Sequence, residues 1–363
     1  DADVVDMEIT LPTKTEYTAD EEISYEGMKI HAIYDDGTEN DYTVEDAEKL
    51  GFEIWNTVNT CGGRNLPGDY RIMVRHIGDT GFSVKKEVPV TVNNTGVSGI
   101  KLSENEVEVK AEENGSLYEY EISESGYYQI AVAGKSDAYV ECVVQDNDNA
   151  IYSYGNNEKT AYSSLMYLES GKHYIYFRNN SPVTAICGIR LYHYNSAPQK
   201  LEVIEDTAKT EFIYGQEQVS FAGMKVKITY ADGSEKTVTI GDQSGYTIEG
   251  GVSYSDDLEF LGDHRLRLGL AIVKQGDKYD EITQYLDYKV RYPDDMTELK
   301  TGKTYTIKPD TLKKQAGIYT VTGSEKDNEL CEIQYEGSGN IDIQNEEGNS
   351  ILFERQYTDK SGK

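Results

Sequence analysis

Residues 26–44 read EGMKIHAIYDDGTENDYTV and residues 222–240 read AGMKVKITYADGSEKTVTI, with eight of nineteen positions identical at an offset of 196. A chain that repeats itself over that distance is built from recurring units, and this limits the fold before any single residue is weighed. The match continues from Gly51 (GFEI) to Gly245 (GYTI), and from Gly68 (GDYRIMV) to Gly262 (GDHRLRL). A fainter repeat sets SGYYQIAVAG from Ser125 against AGIYTVTG from Ala316, each followed by a Cys in ECVVQD or LCEIQY. Two module types therefore alternate as A-B-A-B over 1–95, 96–196, 197–292 and 293–363. The joints are short and polar, such as Asn93-Asn94-Thr95-Gly96 and Asn195-Ser196-Ala197-Pro198. Such links give little buried surface between modules, and the expectation is an elongated monomer within a longer polypeptide.

Inside each unit the local signals are those of strands. Residues 28–33 alternate apolar and polar, and Asp36-Gly37 then turns the chain into 38–44. Residues 225–230 with Asp232-Gly233 repeat the device, and 126–132, 139–144, 173–177 and 186–194 are further β-type runs. Only 44–50 and 309–316 have room for a helical turn or two. Short strands at this spacing, in units of about 100 residues, predict an all-β fold of tandem β-sandwiches.

Composition narrows the function. Asp and Glu number 65 against 35 Lys and Arg, a net charge of −30, which opposes binding to nucleic acid or to an anionic membrane. No apolar run approaches the roughly 20 residues that span a bilayer. No basic, apolar leader opens the chain, so any signal peptide is expected to have been removed or left out. The aromatic residues are 30 Tyr, 7 Phe and 1 Trp, a balance suited to half-exposed strands with rings on a sheet and hydroxyls in water.

Module A resembles the bacterial immunoglobulin-like domains of group 3. The residues that carry this are Lys14-Thr15-Glu16-Tyr17, Gly27-Met28-Lys29, Tyr34 and Asp36-Gly37-Thr38, repeated as Lys209-Thr210-Glu211-Phe212, Gly223-Met224-Lys225, Tyr230 and Asp232-Gly233-Ser234. Module B is similar, through Gly126-Tyr127-Tyr128 and Ser170-Gly171-Lys172-His173-Tyr174, to the pre-peptidase C-terminal β-sandwich domains. The first resemblance implies spacing, display or adhesion on the surface of a Gram-positive bacterium. The second implies an accessory domain of a secreted protein, and neither brings a catalytic set.

The residues agree with that expectation. There is no Gly-x-Ser-x-Gly elbow, no His-Glu-x-x-His and no phosphate-binding Gly-Lys-Thr loop, and the five His are scattered. His31 has Lys227 as its counterpart, which reads as a solvated strand face. Cys61-Gly62-Gly63 has Ser255 in place of the Cys, which reads as a loop turn and not a nucleophile. No cofactor is expected. Asp146-Asn147-Asp148-Asn149 offers the hard oxygens that calcium prefers, through Asp146 and Asp148, but the same residues make a plain turn.

Sugar rings stack on exposed aromatic faces and hold their hydroxyls with amides and charged groups. The densest such region is Tyr152, Tyr154, Asn156, Asn157 and Tyr162, with Tyr167, Tyr174 and Tyr176 further along; Trp55 is a separate candidate anchor. A half-buried sheet face is the plainer reading of alternating Tyr. Cys142 and Cys187 lie on expected strands of one module, either as a disulfide suited to an exported protein or as two small buried thiols.

The chain is thus expected to be a non-catalytic region of a bacterial cell-surface or secreted protein, acting as spacer, display or adhesion scaffold. The alternative is a carbohydrate-binding accessory region of a secreted glycan-degrading enzyme. The expected partners are a host or dietary glycan, or a host surface protein. Because Ser361-Gly362-Lys363 aligns with Ser170-Gly171-Lys172, the last module is expected to lack two strands and to leave an open edge beside 350–357.

Overall fold

The computed structural model describes residues 2–299 and 319–321, apart from 79–80, 136–138, 145–149, 155–159, 183–184, 215, 242–244, 256–260 and 275–277. The fold is all-β. The chain divides into two compact units, Asp1–Ala197 with Ala271–Asp280, and Pro198–Leu270 with Glu281–Lys363.

The first unit opens with β1 (Val4–Thr10), β2 (Glu16–Tyr17), β3 (Lys29–Tyr34), β4 (Glu39–Thr43), α1 (Val44–Lys49), β5 (Phe52–Asn56), β6 (Thr60–Cys61), β7 (Arg64–Asn65), β8 (Gly68–Ile77) and β9 (Ser83–Val92). Sheets β1-β3-β4 and β2-β9-β8-β5 face each other, with β6-β7 as a small ribbon. Alternation does the folding: β9 buries Val88, Val90 and Val92 and sends the residues between them outward. These valines meet Met7, Ile30, Ala32, Ile72 and Val74 in one core. Thr43 ends β4 and caps α1, its hydroxyl accepting from the Asp46 amide at 3.2 Å.

The same unit continues with β10 (Val97–Gly99), β11 (Val107–Ala111), β12 (Ser116–Ile122), β13 (Gly126–Gly134), β14 (Tyr139–Val144), β15 (Ala150–Tyr154), β16 (Thr160–Tyr162), β17 (Leu165–Leu168), β18 (Gly171–Asn179) and β19 (Ala185–Tyr194). One sheet runs β10-β12-β18-β14-β15; the other runs β11-β19-β13-β17, with β16 also on β13. Their inner faces share a core of Ile122, Val140, Ile175 and Phe177 from the first sheet with Val109, Ile130, Val132, Ile189 and Leu191 from the second.

The two sandwiches of this unit are not beads on a string. Ala19, Cys61 and Leu66 of the first bury themselves against Leu117, Tyr174 and Tyr176 of the second. The expectation that short polar joints leave little buried interface is corrected here. Cys61 of β6, Leu66 just after β7 and Ala19 supply the apolar surface that the joint itself lacks.

The second unit holds β20 (Pro198–Val203), β21 (Glu211–Ile213), β22 (Lys225–Tyr230), β23 (Glu235–Thr239), β24 (Val252–Ser255) and most of β25 (Gly262–Lys274) and β26 (Lys278–Arg291), whose Ala271–Asp280 portion belongs to the first. Sheet β20-β22-β23 matches β1-β3-β4 in order, and both first pairs carry a bulge, between Val4 and Asp6 and between Pro198 and Lys200. The hairpin turns are also alike. Gly37 and Gly233 take φ of 84° and 83°, and Asp36 and Asp232 accept from the hydroxyl two residues on, each at 2.6 Å. The cores differ in detail: Phe212, Phe221 and Tyr288 form an edge-to-face cluster with centroids 5.1–6.0 Å apart. Beyond these, β27 (Thr297–Leu299) pairs in parallel with β28 (Tyr319–Val321). The expected open edge beside 350–357 lies outside the described residues, as does the expected helical turn at 309–316.

Candidate functional site

On β13 the side chains of Tyr128, Ile130 and Val132 enter the core, so the residues between them, Tyr127, Gln129 and Ala131, belong to the outer face. The same parity on β19 puts Ile189 and Leu191 inside and Arg190, Tyr192 and Tyr194 outside. Register then lines these up in ranks. Tyr127 lies between Tyr194 and Tyr167, Gln129 lies beside Tyr192, and Ala131 lies between Arg190 and Tyr162. Five tyrosines from four strands share one sheet face.

The rings pair off across the strands. Tyr162 and Tyr192 have centroids 6.5 Å apart with a tilt of 33°, and Tyr127 meets Tyr167 edge-on at 5.3 Å. Gln129 is buried beneath them; it donates to the Ser163 carbonyl at 2.9 Å and accepts from the Tyr194 hydroxyl at 3.2 Å. That network fixes the amide between the two pairs. Tyr167 is exposed, and Tyr127, Tyr162 and Tyr192 are half-buried. Ala131, between Tyr162 and Arg190, is buried.

The polar rim has a specific build. Arg190 lies 3.5 Å from Glu106, whose other oxygen pairs with Lys135. A hydrogen bond with Tyr192, and then the charge of that phenol, hold the Arg190 guanidinium above its ordinary range. Gly188 leaves room for Glu106, since a Cβ there would stand 2.5 Å from the carboxyl carbon. Chemically, the face presents flat rings and a cation, with the Gln129 amide fixed beneath them. Among the described residues no cluster of three or more His, Cys, Asp or Glu is placed to hold a metal ion.

The candidates read from sequence are dispersed. Tyr162 and Tyr167 are on this face. Tyr152 and Tyr154 lie on β15 of the opposite sheet, and Asn156, Asn157, Asp146 and Asp148 lie outside the described residues. Trp55 sits on β5 of the first sandwich, 37% exposed, with Arg75 over its ring at 5.6 Å. Tyr174 and Tyr176 are corrected: at 7% and 4% exposure they are interface residues, covered by the first sandwich and closed to any ligand. Tyr127, Arg190, Tyr192 and Tyr194 were missed, although their alternation with apolar partners along 126–132 and 186–194 was visible.

Cys142 and Cys187 are both buried and carry no disulfide. They belong to the two facing sheets and fill the core between them. Burial raises the Cys142 thiol well above its ordinary value and pushes Cys187 up to about 11, which keeps both protonated and poorly reactive. The reading as small buried thiols replaces the disulfide.

No family model matches the chain. It is similar to a protein named pectate lyase L from Thermoclostridium stercorarium, 24% identical over 260 residues, covering 68% of this chain and 18% of that protein. The chain thus spans under a fifth of the length of that relative. Among solved structures, it is similar to a pre-peptidase C-terminal domain of a collagenase from Bacillus anthracis, with 13% identity, 26% of this chain and 94% of that one, at a TM-score of 0.21. A second is the M60 catalytic domain with two CBM51 domains of a Clostridium perfringens protein, with 12% identity, 79% of this chain and 31% of that one, at a TM-score of 0.18.

Proposed function

We propose that this chain is a non-catalytic, extracellular region of a longer bacterial protein, and that its second sandwich binds carbohydrate on the tyrosine face. The observation that carries this is the grouping of Tyr127, Tyr162, Tyr167 and Tyr192 around a buried Gln129 and an exposed Arg190 on one face. Rings held by a fixed sheet lose little freedom when a sugar stacks on them. The partial likeness to a protein named for pectate supports a polysaccharide as the class of ligand. The test is a glycan array with the full chain, followed by Tyr192→Ala and Tyr162→Ala. Each substitution is expected to weaken a positive about tenfold. Silence across a broad array, or binding indifferent to both changes, removes the proposal.

A spacer role accompanies it. It rests on the A-B-A-B plan over 1–95, 96–196, 197–292 and 293–363, with A modules resembling the group 3 immunoglobulin-like domains. The buried contact of Cys61 and Leu66 with Tyr174 and Tyr176 supports a stiff first pair.

A further inference from the structure

Building on the carbohydrate reading above, we infer that the tyrosine face takes an acidic glycan, and that Arg190 reads a sugar carboxylate while Tyr162 and Tyr192 hold the ring beside it. A guanidinium offers five donors in a planar fork matched to a carboxylate. Here one side of that fork meets the Tyr192 phenol, and its hold on Glu106 is loose. Its ion pair with Glu106 is 3.5 Å long, beyond an ordinary charge-assisted hydrogen bond, and the Arg190 side chain remains 47% exposed. Glu106 is held instead by Lys135, at a shorter distance through its other oxygen. Lys135 and Arg190 therefore share Glu106 at this rim, with the exposed Glu108 one outward position further along β11.

The position of the Arg190 guanidinium is what gives it meaning. Arg190 and Tyr162 flank Ala131 in one rank, and Tyr192 is the next outward residue on the same strand as Arg190. A pyranose lying on the Tyr162–Tyr192 pair would bring a substituent at its edge toward the exposed guanidinium. A neutral hydroxymethyl there would gain one hydrogen bond, whereas a carboxylate would gain the fork. The overall negative charge opposes a polyanion at long range, but at physiological salt that repulsion is screened beyond about 8 Å while a direct Arg–carboxylate contact is not.

The experiment compares polygalacturonate with its fully methyl-esterified form, binding each to the full chain by titration calorimetry. The polymers share a backbone and differ in charge. The carboxylated form is expected to bind at least about 10-fold more tightly. Arg190→Gln should abolish that preference, weakening the carboxylated form at least about 10-fold and the ester far less. Glu106→Gln, which removes the competing anion, should tighten the carboxylated form several-fold. Circular dichroism of each variant checks that it remains folded. Equal binding of the two polymers, or a preference that survives Arg190→Gln, overturns the acidic-glycan inference and leaves the carbohydrate reading intact. Failure to bind either polymer together with silence on neutral glycans overturns both.

Discussion

Replacing Gly62 by Ala puts a methyl group where the second sandwich already has a ring. Gly62 sits at φ 59°, and an added Cβ would stand 2.1 Å from Cδ1 and 2.3 Å from Cγ of Tyr176. Ordinary contact needs at least about 3.4 Å, so loop and ring must part by more than an ångström. The ring has nowhere to go: on its other side a Cβ at Gly115 would meet the Tyr176 hydroxyl at 2.0 Å. The left-handed backbone costs Ala about 1 kcal/mol and overpacking a further 1–3, giving about 2–4 kcal/mol against docking. The adjacent Gly63, at φ 80° with nothing within 4 Å of its Cβ position, is the control; Gly63→Ala keeps only the backbone cost of about 1 kcal/mol.

The assay follows from a neighbouring residue. Cys61 is buried in this contact, and its thiol donates to the Val143 carbonyl at 3.5 Å. Separation of the sandwiches should expose it while Cys142 and Cys187 stay within their core. A 2 kcal/mol penalty raises the undocked population about 30-fold. Per-residue labelling of the full chain by a thiol reagent, read by mass spectrometry, should show Cys61 accelerated by that order in Gly62→Ala and far less in Gly63→Ala. Equal labelling of Cys61 in the two variants would refute the docked-loop account.

Other outcomes can be checked with less argument. His31 donates toward Asp41 at 2.8 Å, with Glu39 at 3.4 Å from its other nitrogen, and the hydrogen bond to Asp41 above all raises its pKa. Its contribution is therefore complete below about pH 6.5 and fades as pH rises through the raised folded value; His31→Gln should flatten that slope in urea midpoints between pH 6 and 9. Asp36 is the opposite case. The hydroxyl and amide of Thr38 lower its pKa, so its stabilisation is present above the unfolded value and is lost as pH falls through the folded one, and Asp36→Asn should remove that part of the acid response. Cys142 and Cys187 should react with a thiol reagent only at the rate of unfolding, and oxidant alone should not link them in the native protein.

Much of the fold was legible because it rests on local rules. The repeat at an offset of 196, the Asp-Gly turns and the alternation in 126–132 and 186–194 each name a strand or a hairpin, and the Thr43 cap explains why 44–49 coils instead. The bulge shared by β1 and β20 carried no such signal, since neither segment marks it with a Gly. The tyrosine face was half legible. Outward positions follow from period two within one strand, but which strands adjoin depends on register, and Tyr162, Tyr192 and Arg190 come together only when β16 and β19 both flank β13. Tyr174 and Tyr176 show the other gap. They are outward by the same parity, and nothing in their own segment tells that a neighbouring sandwich covers them; the only hint lay in Cys61-Gly62-Gly63, a small-residue loop of the kind that lets a ring approach closely.

The second sandwich therefore carries tyrosines on both outer faces, and the two sets should behave as separate properties. Tyr176, 4% exposed between Gly62 and Gly115, is part of the protein's packing; Tyr176→Ala removes a buried ring and should cost about 3 kcal/mol. Tyr192 is half-exposed on the opposite sheet, and Tyr192→Ala should change stability by no more than about 0.5 kcal/mol while weakening glycan binding. The faces are separated by the whole core, with sheets about 10 Å apart, so the double variant should show both losses with coupling below about 0.5 kcal/mol. Urea midpoints and glycan affinities for the two single variants and the double variant complete the cycle. A Tyr176→Ala protein that remains folded yet loses glycan binding would show that the covered face, and not the open one, carries the activity. A Tyr192→Ala protein as destabilised as Tyr176→Ala would show that the open face is structural.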